Sequence, residues 1–221
     1  QVQRPVAPGS NGSVAGSDFG RGDLVLLRLR VLTSRDTAVL AAVGMARVPV
    51  VRRPRVAVVS TGDEIVTPGE GLPTGSVYDS NQRMLLDAVV ELGGEPVPGG
   101  ILPDDEGRLE EAVRAFLTGP GAADLVLLSG GTSKGEGDLN ATVVHRLAGQ
   151  FPGSPGVLVH GVALKPGKPI LLAVVAGRPV VVLPGFPTSA VFTFHEFVAP
   201  LLRRLAGRPE EEAAAADAMA P

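Results

Sequence analysis

The sequence predicts an α/β fold, a mostly parallel sheet with helices on both faces, and three observations carry that prediction. Short apolar runs with no polar break alternate with stretches of about 10 to 15 residues whose apolar positions recur at helical spacing. The runs close on loops rich in Gly, Pro, Ser or Asp, as strands do where they hand over to a helix. The run Leu125 to Leu128 is apolar throughout, which suits a strand buried on both faces, and it opens into Ser129-Gly130-Gly131-Thr132-Ser133-Lys134-Gly135-Glu136-Gly137-Asp138. In an open α/β sheet a loop leaving that end of a strand is where ligands bind.

Composition sets the outer limits. The 221 residues are 44% hydrophobic, enough for a buried core of one domain and a smaller piece. Twenty basic residues against 23 acidic ones leave no surplus for non-specific nucleic-acid binding, so nucleic acid is excluded as a first partner. The absence of cysteine rules out disulfides and thiolate metal sites and fits a reducing compartment. No apolar run approaches the length of a membrane span, so no membrane partner is expected and the chain reads as soluble and cytoplasmic. It begins with Gln, mid-pattern, as a piece of a longer chain would.

Residues 1 to 23 are rich in Gly, Pro and Ser around Asp18 and end in the turn Gly20-Arg21-Gly22-Asp23. A strand is expected over Leu24 to Arg30, then a short helix Thr37 to Val43 with start signals at Thr33, Ser34 and Asp36 and a stop at Gly44. This opening, residues 1–50, is a satellite, and Arg47 to Arg55, with Pro49 and Pro54, links it to the strand Val56 to Val59. Ser60-Thr61-Gly62-Asp63-Glu64 and a turn-rich loop follow, and Asp79, Ser80 and Asn81 can each cap the next helix. In that helix Met84, Leu85, Ala88, Val89 and Leu92 share a face until Gly93 and Gly94 end it.

Pro96 to Leu102 reads as a strand, Pro103-Asp104-Asp105 as a turn, and Leu109 to Leu117 as a helix with Leu109, Val113, Phe116 and Leu117 on one face. The central strand, Asp124 to Leu128, precedes a helix over Leu139 to Leu147, a surface loop Gln150 to Gly156 and a strand Val157 to Ala163. Lys165-Pro166-Gly167-Lys168-Pro169 is a tight loop, and the strands Ile170 to Val175 and Pro179 to Leu183 are joined like a hairpin through Ala176-Gly177-Arg178. Pro184-Gly185-Phe186-Pro187 leads into a helix Thr188 to Leu205. The Glu- and Ala-rich tail, residues 209–221, lacks a second apolar face and is expected to be disordered.

Three acidic signals follow strands: Asp63 with Glu64, Asp104 with Asp105, and Asp138. Strand ends share one edge of a doubly wound sheet, so these carboxylates can converge there, and a Mg²⁺ ion held with substrate phosphates would relieve their repulsion. The alternatives are structural: Asp104, Asp105 and Asp138 can cap helices, and Glu64 can be a solvated loop residue. Gly130 and Gly131 let another molecule approach the backbone, and Thr132, Ser133 and free N–H groups offer donors to an anion. Lys165 and Lys168, stiffened by proline, can meet an anion at fixed positions. His145, His160 and His195 have no metal spacing and read as structural.

Five motifs together, Ser60-Thr61-Gly62-Asp63-Glu64, Asp79-Ser80-Asn81, Ser129-Gly130-Gly131-Thr132-Ser133 through Asp138, Lys165-Pro166-Gly167-Lys168-Pro169 and Leu183-Pro184-Gly185-Phe186-Pro187, resemble in order and spacing the molybdopterin molybdenumtransferase family. This MoeA-like group includes the E domain of gephyrin. The resemblance implies a molybdopterin-binding α/β domain over residues 51–208 and a β-rich part of an elongated second domain over residues 1–50. It implies insertion of molybdate into adenylylated molybdopterin, with Mg²⁺-dependent hydrolysis of the adenylate, in a homodimer. Glu64, Asp104 and Asp138 would be its acidic catalytic and metal residues, and Lys165 and Lys168 would bind oxyanion or phosphate. Pro184 and Pro187 would shape a loop, and Asp18 would contribute from the second domain.

Phe186, where the family more often has Asn, and Lys134, where it has a small or apolar residue, depart from the pattern at the pocket edge. The family's N-terminal domain and small C-terminal β domain have no counterpart in these residues. A molybdopterin adenylyltransferase, which uses a similar α/β domain, and a non-catalytic scaffold of the same fold are the two other readings. The segment 1–50 argues against the first, because stand-alone adenylyltransferases lack it. The acidic residues argue against the second.

Overall fold

The computed structural model describes residues 5, 7–10, 12–130 and 138–209. The chain forms two compact units, Gln1–Val50 and Val51–Pro221. The expected tail, residues 210–221 of it, lies outside the described residues.

In the first unit helix α1 spans Ser34–Ala42, three residues earlier at its start than the spacing predicts. The reason is a capping box: Thr33 Oγ1 accepts from the Asp36 N–H at 3.4 Å, and Asp36 Oδ2 accepts from the Thr33 N–H at 2.8 Å. That backbone bond, with the Thr33 hydroxyl, holds the Asp36 carboxyl below its ordinary range. Gly44 then turns into the left-handed region, φ 84°, and its N–H and that of Met45 close on the Ala41 and Leu40 carbonyls. The strand expected over Leu24 to Arg30 is not formed. Leu24 and Leu27 stay exposed and no neighbouring segment pairs with them among the described residues, and a lone extended segment cannot satisfy its backbone.

The second unit holds a six-stranded mixed sheet. Its strands are β1 (Arg55–Thr61), β4 (Glu95–Leu102), β5 (Leu125–Gly130), β6 (Gly156–His160), β7 (Leu171–Val175) and β8 (Arg178–Leu183), in the order β4-β1-β5-β8-β7-β6. β4, β1, β5 and β8 run parallel, and β7 runs against β8 and β6. Val175 and Arg178 pair across the two-residue turn Ala176-Gly177, both at positive φ (51° and 70°), the conformation that suits the twist of a tight hairpin. Two short strands that the sequence reads as loop, β2 (Ile65–Val66) and β3 (Val77–Tyr78), form a separate parallel pair.

Helices cover both faces. Leu109, Val113 and Leu117 of α3 (Glu106–Thr118) and Val143, Val144 and Leu147 of α4 (Leu139–Gln150) pack on Ala57, Val59, Val126, Leu128 and Val182. Leu85 and Val89 of α2 (Ser80–Glu91) pack with Phe194, Val198 and Leu202 on Val56, Val58, Leu125, Leu127 and Leu183. Alternate residues of the uninterrupted apolar strands thus feed two cores, and burial of each large side chain contributes roughly 1.5–3 kcal/mol. The last helix is α5 (Pro187–Thr193) and α6 (Ala199–Leu205) joined by a π turn, Phe194–Val198, in which the Ala199 N–H reaches the Phe194 carbonyl. Pro200 follows directly and has no N–H to continue the regular ladder, which accounts for the wider turn. Among the described residues no helix is long and apolar enough to cross a membrane.

Candidate functional site

The four parallel strands end at one edge, where Thr61 pairs with both Leu102 and Gly130, and Ser129 with Leu183. β1 has β4 on one side and β5 on the other, so the chain reverses its direction of travel across the sheet there, the kind of crevice that receives ligands. Buried hydroxyl residues Ser60, Thr61 and Ser129 replace the apolar pattern at this edge. Gly130 closes β5 at φ 114°, and a Cβ there would collide with the Thr61 carbonyl, so only glycine fits. Gly131, Thr132 and Ser133, the expected anion loop, and Lys134 lie outside the described residues.

Three of the helices that start at this edge have aspartate caps. Asp79 accepts from the Gln82 N–H at 2.9 Å, Asp105 from Arg108 at 2.8 Å and Asp138 from Ala141 at 3.0 Å. The β2–β3 pair brings the first of these into place: the Asp79 N–H bonds the Val66 carbonyl, so the intervening loop closes on itself beside Glu64. Asp105 and Asp138 therefore do the capping that their positions allow, whereas Asp104 is free of it.

Asp104 sits with Asp63 and Glu64. Asp63 Oδ1 accepts from the Asp104 N–H at 3.1 Å, and Gly62, at φ 149°, lets the backbone turn beneath the Glu64 carboxylate. Burial pushes the Asp104 carboxyl above its ordinary range, and the Asp63 and Glu64 charges add to that. Strand order explains the grouping, because β4 lies beside β1. Asp138 does not join them. Its Oδ1 faces the Ala141 N–H and its Oδ2 lies 3.5 Å from His160 Nε2.

Among the described residues no three His, Cys, Asp or Glu side chains stand close enough to hold a metal ion. The expected set Glu64, Asp104 and Asp138 is thus not assembled as one cluster. Asp104 and Glu64, near enough to repel, could together supply the one or two carboxylates that a Mg²⁺ ion needs when phosphates complete its shell.

On the far side of the edge a cleft of about 520 Å³ is lined by His160, Gly161, Val162, Ala163, Leu164, Lys165 and Lys168. Reversal of β7 brings its start to the edge where β6 and β8 finish, so the expected pair of lysines flanks the cleft. The loop is pinned by the Val162 N–H on the Lys168 carbonyl at 2.9 Å and the Gly161 N–H on the Ile170 carbonyl at 2.8 Å. Gly167 is buried, and a Cβ there would lie 2.5 Å from Thr193 Cγ2. His160, expected to be structural, instead lines this cleft half-exposed. Pro184 is buried after β8, and Pro187 opens α5. Phe186 stands at the N-cap of α5 without a capping acceptor, its ring 75% exposed. Asp18 is exposed within the first unit.

Residues 57–204 match the family model described as "Probable molybdopterin binding domain". The chain belongs to that molybdopterin-binding family. Among similar proteins in it, "Molybdopterin molybdenumtransferase" of Haemophilus influenzae is 36% identical over 203 residues, 92% of this chain and 48% of that protein. "Molybdopterin molybdenumtransferase 2" of Mycobacterium tuberculosis is 34% identical over 209 residues, 95% of this chain and 51% of that protein. The crystal structure of the molybdopterin biosynthesis moea protein from Pyrococcus horikosii superposes with a TM-score of 0.74 at 42% identity, covering 86% of this chain and 45% of that one. The chain is thus a MoeA-like homologue that spans about half the length of the curated relatives it matches.

Proposed function

We propose that this chain is the ligand-binding α/β part of a molybdopterin molybdenumtransferase, acting in molybdenum cofactor biosynthesis on adenylylated molybdopterin and molybdate. The observation that carries the reading is the composition of one sheet edge: a glycine-ended central strand stands between an acidic group, Glu64 with Asp104, and a cleft flanked by Lys165 and Lys168. An anionic, phosphorylated ligand with a bound cation matches that order of charges. Lys165 and Lys168 bind the oxyanion or phosphate. Gly130, Gly131, Thr132 and Ser133 give it backbone and hydroxyl donors.

Glu64 and Asp104 are the residues that would hold Mg²⁺, which when bound supplies polarisation of the phosphoanhydride. Asp138 adds its charge at the mouth of the β5 loop, and Pro184 and Pro187 hold the neighbouring loop in shape. The first unit contributes Asp18 to a partner's site in a homodimer. The apolar side chains Val14, Phe19, Leu24 and Leu27, exposed in that unit, support a partner surface.

Calorimetric titration of the chain with adenylylated molybdopterin, with and without Mg²⁺, tests the proposal. Binding that tightens with Mg²⁺ is expected. No heat in either arm would overturn it.

A further inference from the structure

Two helices of this chain begin in the same way. Asp79-Ser80-Asn81 opens α2 and Asp138-Leu139-Asn140 opens α4, and the two aspartates share one backbone geometry, φ −70° and ψ 87° against φ −73° and ψ 87°. Each aspartate caps its helix, and each asparagine, two residues on, turns its amide back to the sheet. The Asn81 Nδ2 donates to Ser129 Oγ at 2.9 Å and to the Gly185 carbonyl at 2.8 Å. The Asn140 Nδ2 donates to Thr61 Oγ1 at 3.0 Å and to the Gly130 carbonyl at 2.6 Å.

The pattern of partners is the same in both: a hydroxyl at the end of one strand and a glycine carbonyl where the adjacent strand meets its loop. Asn81 spans the seam between β5 and β8 from one face of the sheet, and Asn140 spans the seam between β1 and β5 from the other. Both side chains are buried, and neither Oδ1 finds a hydrogen-bond partner among the described residues. An unpaired buried acceptor lowers stability, so each asparagine carries a cost that offsets part of what its two amide bonds contribute. Set against that cost is position: each amide ties a glycine carbonyl at a strand end to a hydroxyl of the neighbouring strand. A carbonyl drawn toward an amide turns the N–H of the next residue the opposite way, so Asn81 also fixes the direction of the Phe186 N–H.

We propose that Asn81 and Asn140 are a matched pair of positioning residues, each setting the backbone of one ligand loop by holding its first glycine carbonyl. The identity of the ligand rests on the function proposed above; the holding of the loops does not.

Asn81→Leu and Asn140→Leu test it in two arms. Amide hydrogen exchange in the unliganded chain is expected to rise over residues 184–190 in the first variant and over the end of β5 and the start of α4, residues 128–130 and 138–142, in the second, with the remaining strands unchanged. Affinity for adenylylated molybdopterin is expected to fall about tenfold in each, as loss of one or two buried hydrogen bonds at a binding edge predicts. Asn81→Ser and Asn140→Ser, too short to reach two acceptors, give the same readouts if leucine prevents folding. Exchange that stays at the wild-type level, or rises evenly through the sheet, overturns the proposal. If the wild-type chain does not bind the pterin, the assigned ligand fails while the exchange arm still decides the role of the asparagines.

Discussion

Asp138 Oδ2 and His160 Nε2 stand 3.5 Å apart and connect the start of α4 to the end of β6. One carboxylate thereby links the loop that follows the central strand to the lysine-flanked cleft. Its Oδ1 is occupied by the Ala141 N–H, so cap and site share a side chain.

Asp138→Asn separates the two roles. Asparagine caps nearly as well as aspartate, so stability is expected to change by less than about 1 kcal/mol. The negative charge at the edge is lost, and Mg²⁺-dependent loss of the adenylate is expected to be abolished. Melting curves and adenylate hydrolysis measure the two effects. Unchanged hydrolysis would reduce Asp138 to a helix cap.

Replacing Lys165 and Lys168 together with Met is expected to weaken binding of the phosphorylated pterin by at least about tenfold, because each half-solvated ionic contact contributes on the order of 1 kcal/mol. Both side chains are exposed, so the melting temperature should hold. Equal affinity by calorimetry would assign the loop a purely structural part.

At the opposite edge of the sheet, Asp124 anchors the entry to β1. Its Oδ2 and Oδ1 each accept from the Arg52 guanidinium at 2.6 Å, and Oδ2 also accepts from the Arg55 N–H at 2.8 Å. The Arg52 bonds, ahead of the Arg55 N–H, hold the Asp124 carboxyl below its ordinary value of 3.8. Because the folded value is the lower one, this stabilisation is present above the unfolded value and is lost as pH falls through the folded one. Asp124→Asn is expected to destabilise the chain by roughly 1–3 kcal/mol at neutral pH and to make the acid limb of its stability curve shallower. Urea unfolding between about pH 2 and pH 7 measures both, since it takes in the plateau above the unfolded value and the acid range below 3.8 where the folded carboxyl titrates. Parallel curves for the two proteins would contradict the assignment.

The features that local pattern encodes were legible in the sequence. Uninterrupted runs such as Val56 to Val59 announced strands buried on both sides, and the face Leu109, Val113, Leu117 announced the side of α3 that meets the sheet. What depends on neighbours was not legible. Leu24 to Arg30 has the apolar content of a strand but finds no strand to pair with among the described residues. Glu64 and Asp104 meet because β4 lies against β1, while Asp138, equally well placed by motif, is turned toward His160. The side of β6 from which His160 projects depends on its register with β7, which periodicity does not report. Asn81 looked like one of three possible caps, and only the fold shows that Asp79 caps while Asn81 reaches Ser129 and Gly185.

Reversal of β7 gives this sheet a place where foreign chemistry can be attached. The strand starts near Lys168 and ends at the Ala176-Gly177 turn, so the turn lies roughly 17 Å away, the length of five extended residues, at the opposite edge of the sheet from the lysine-flanked cleft. A fluorophore, an affinity tag or the linker of a fused reporter placed between Ala176 and Gly177 would therefore sit remote from the edge that carries Lys165 and Lys168, while staying joined through one rigid strand to the cleft it reports on.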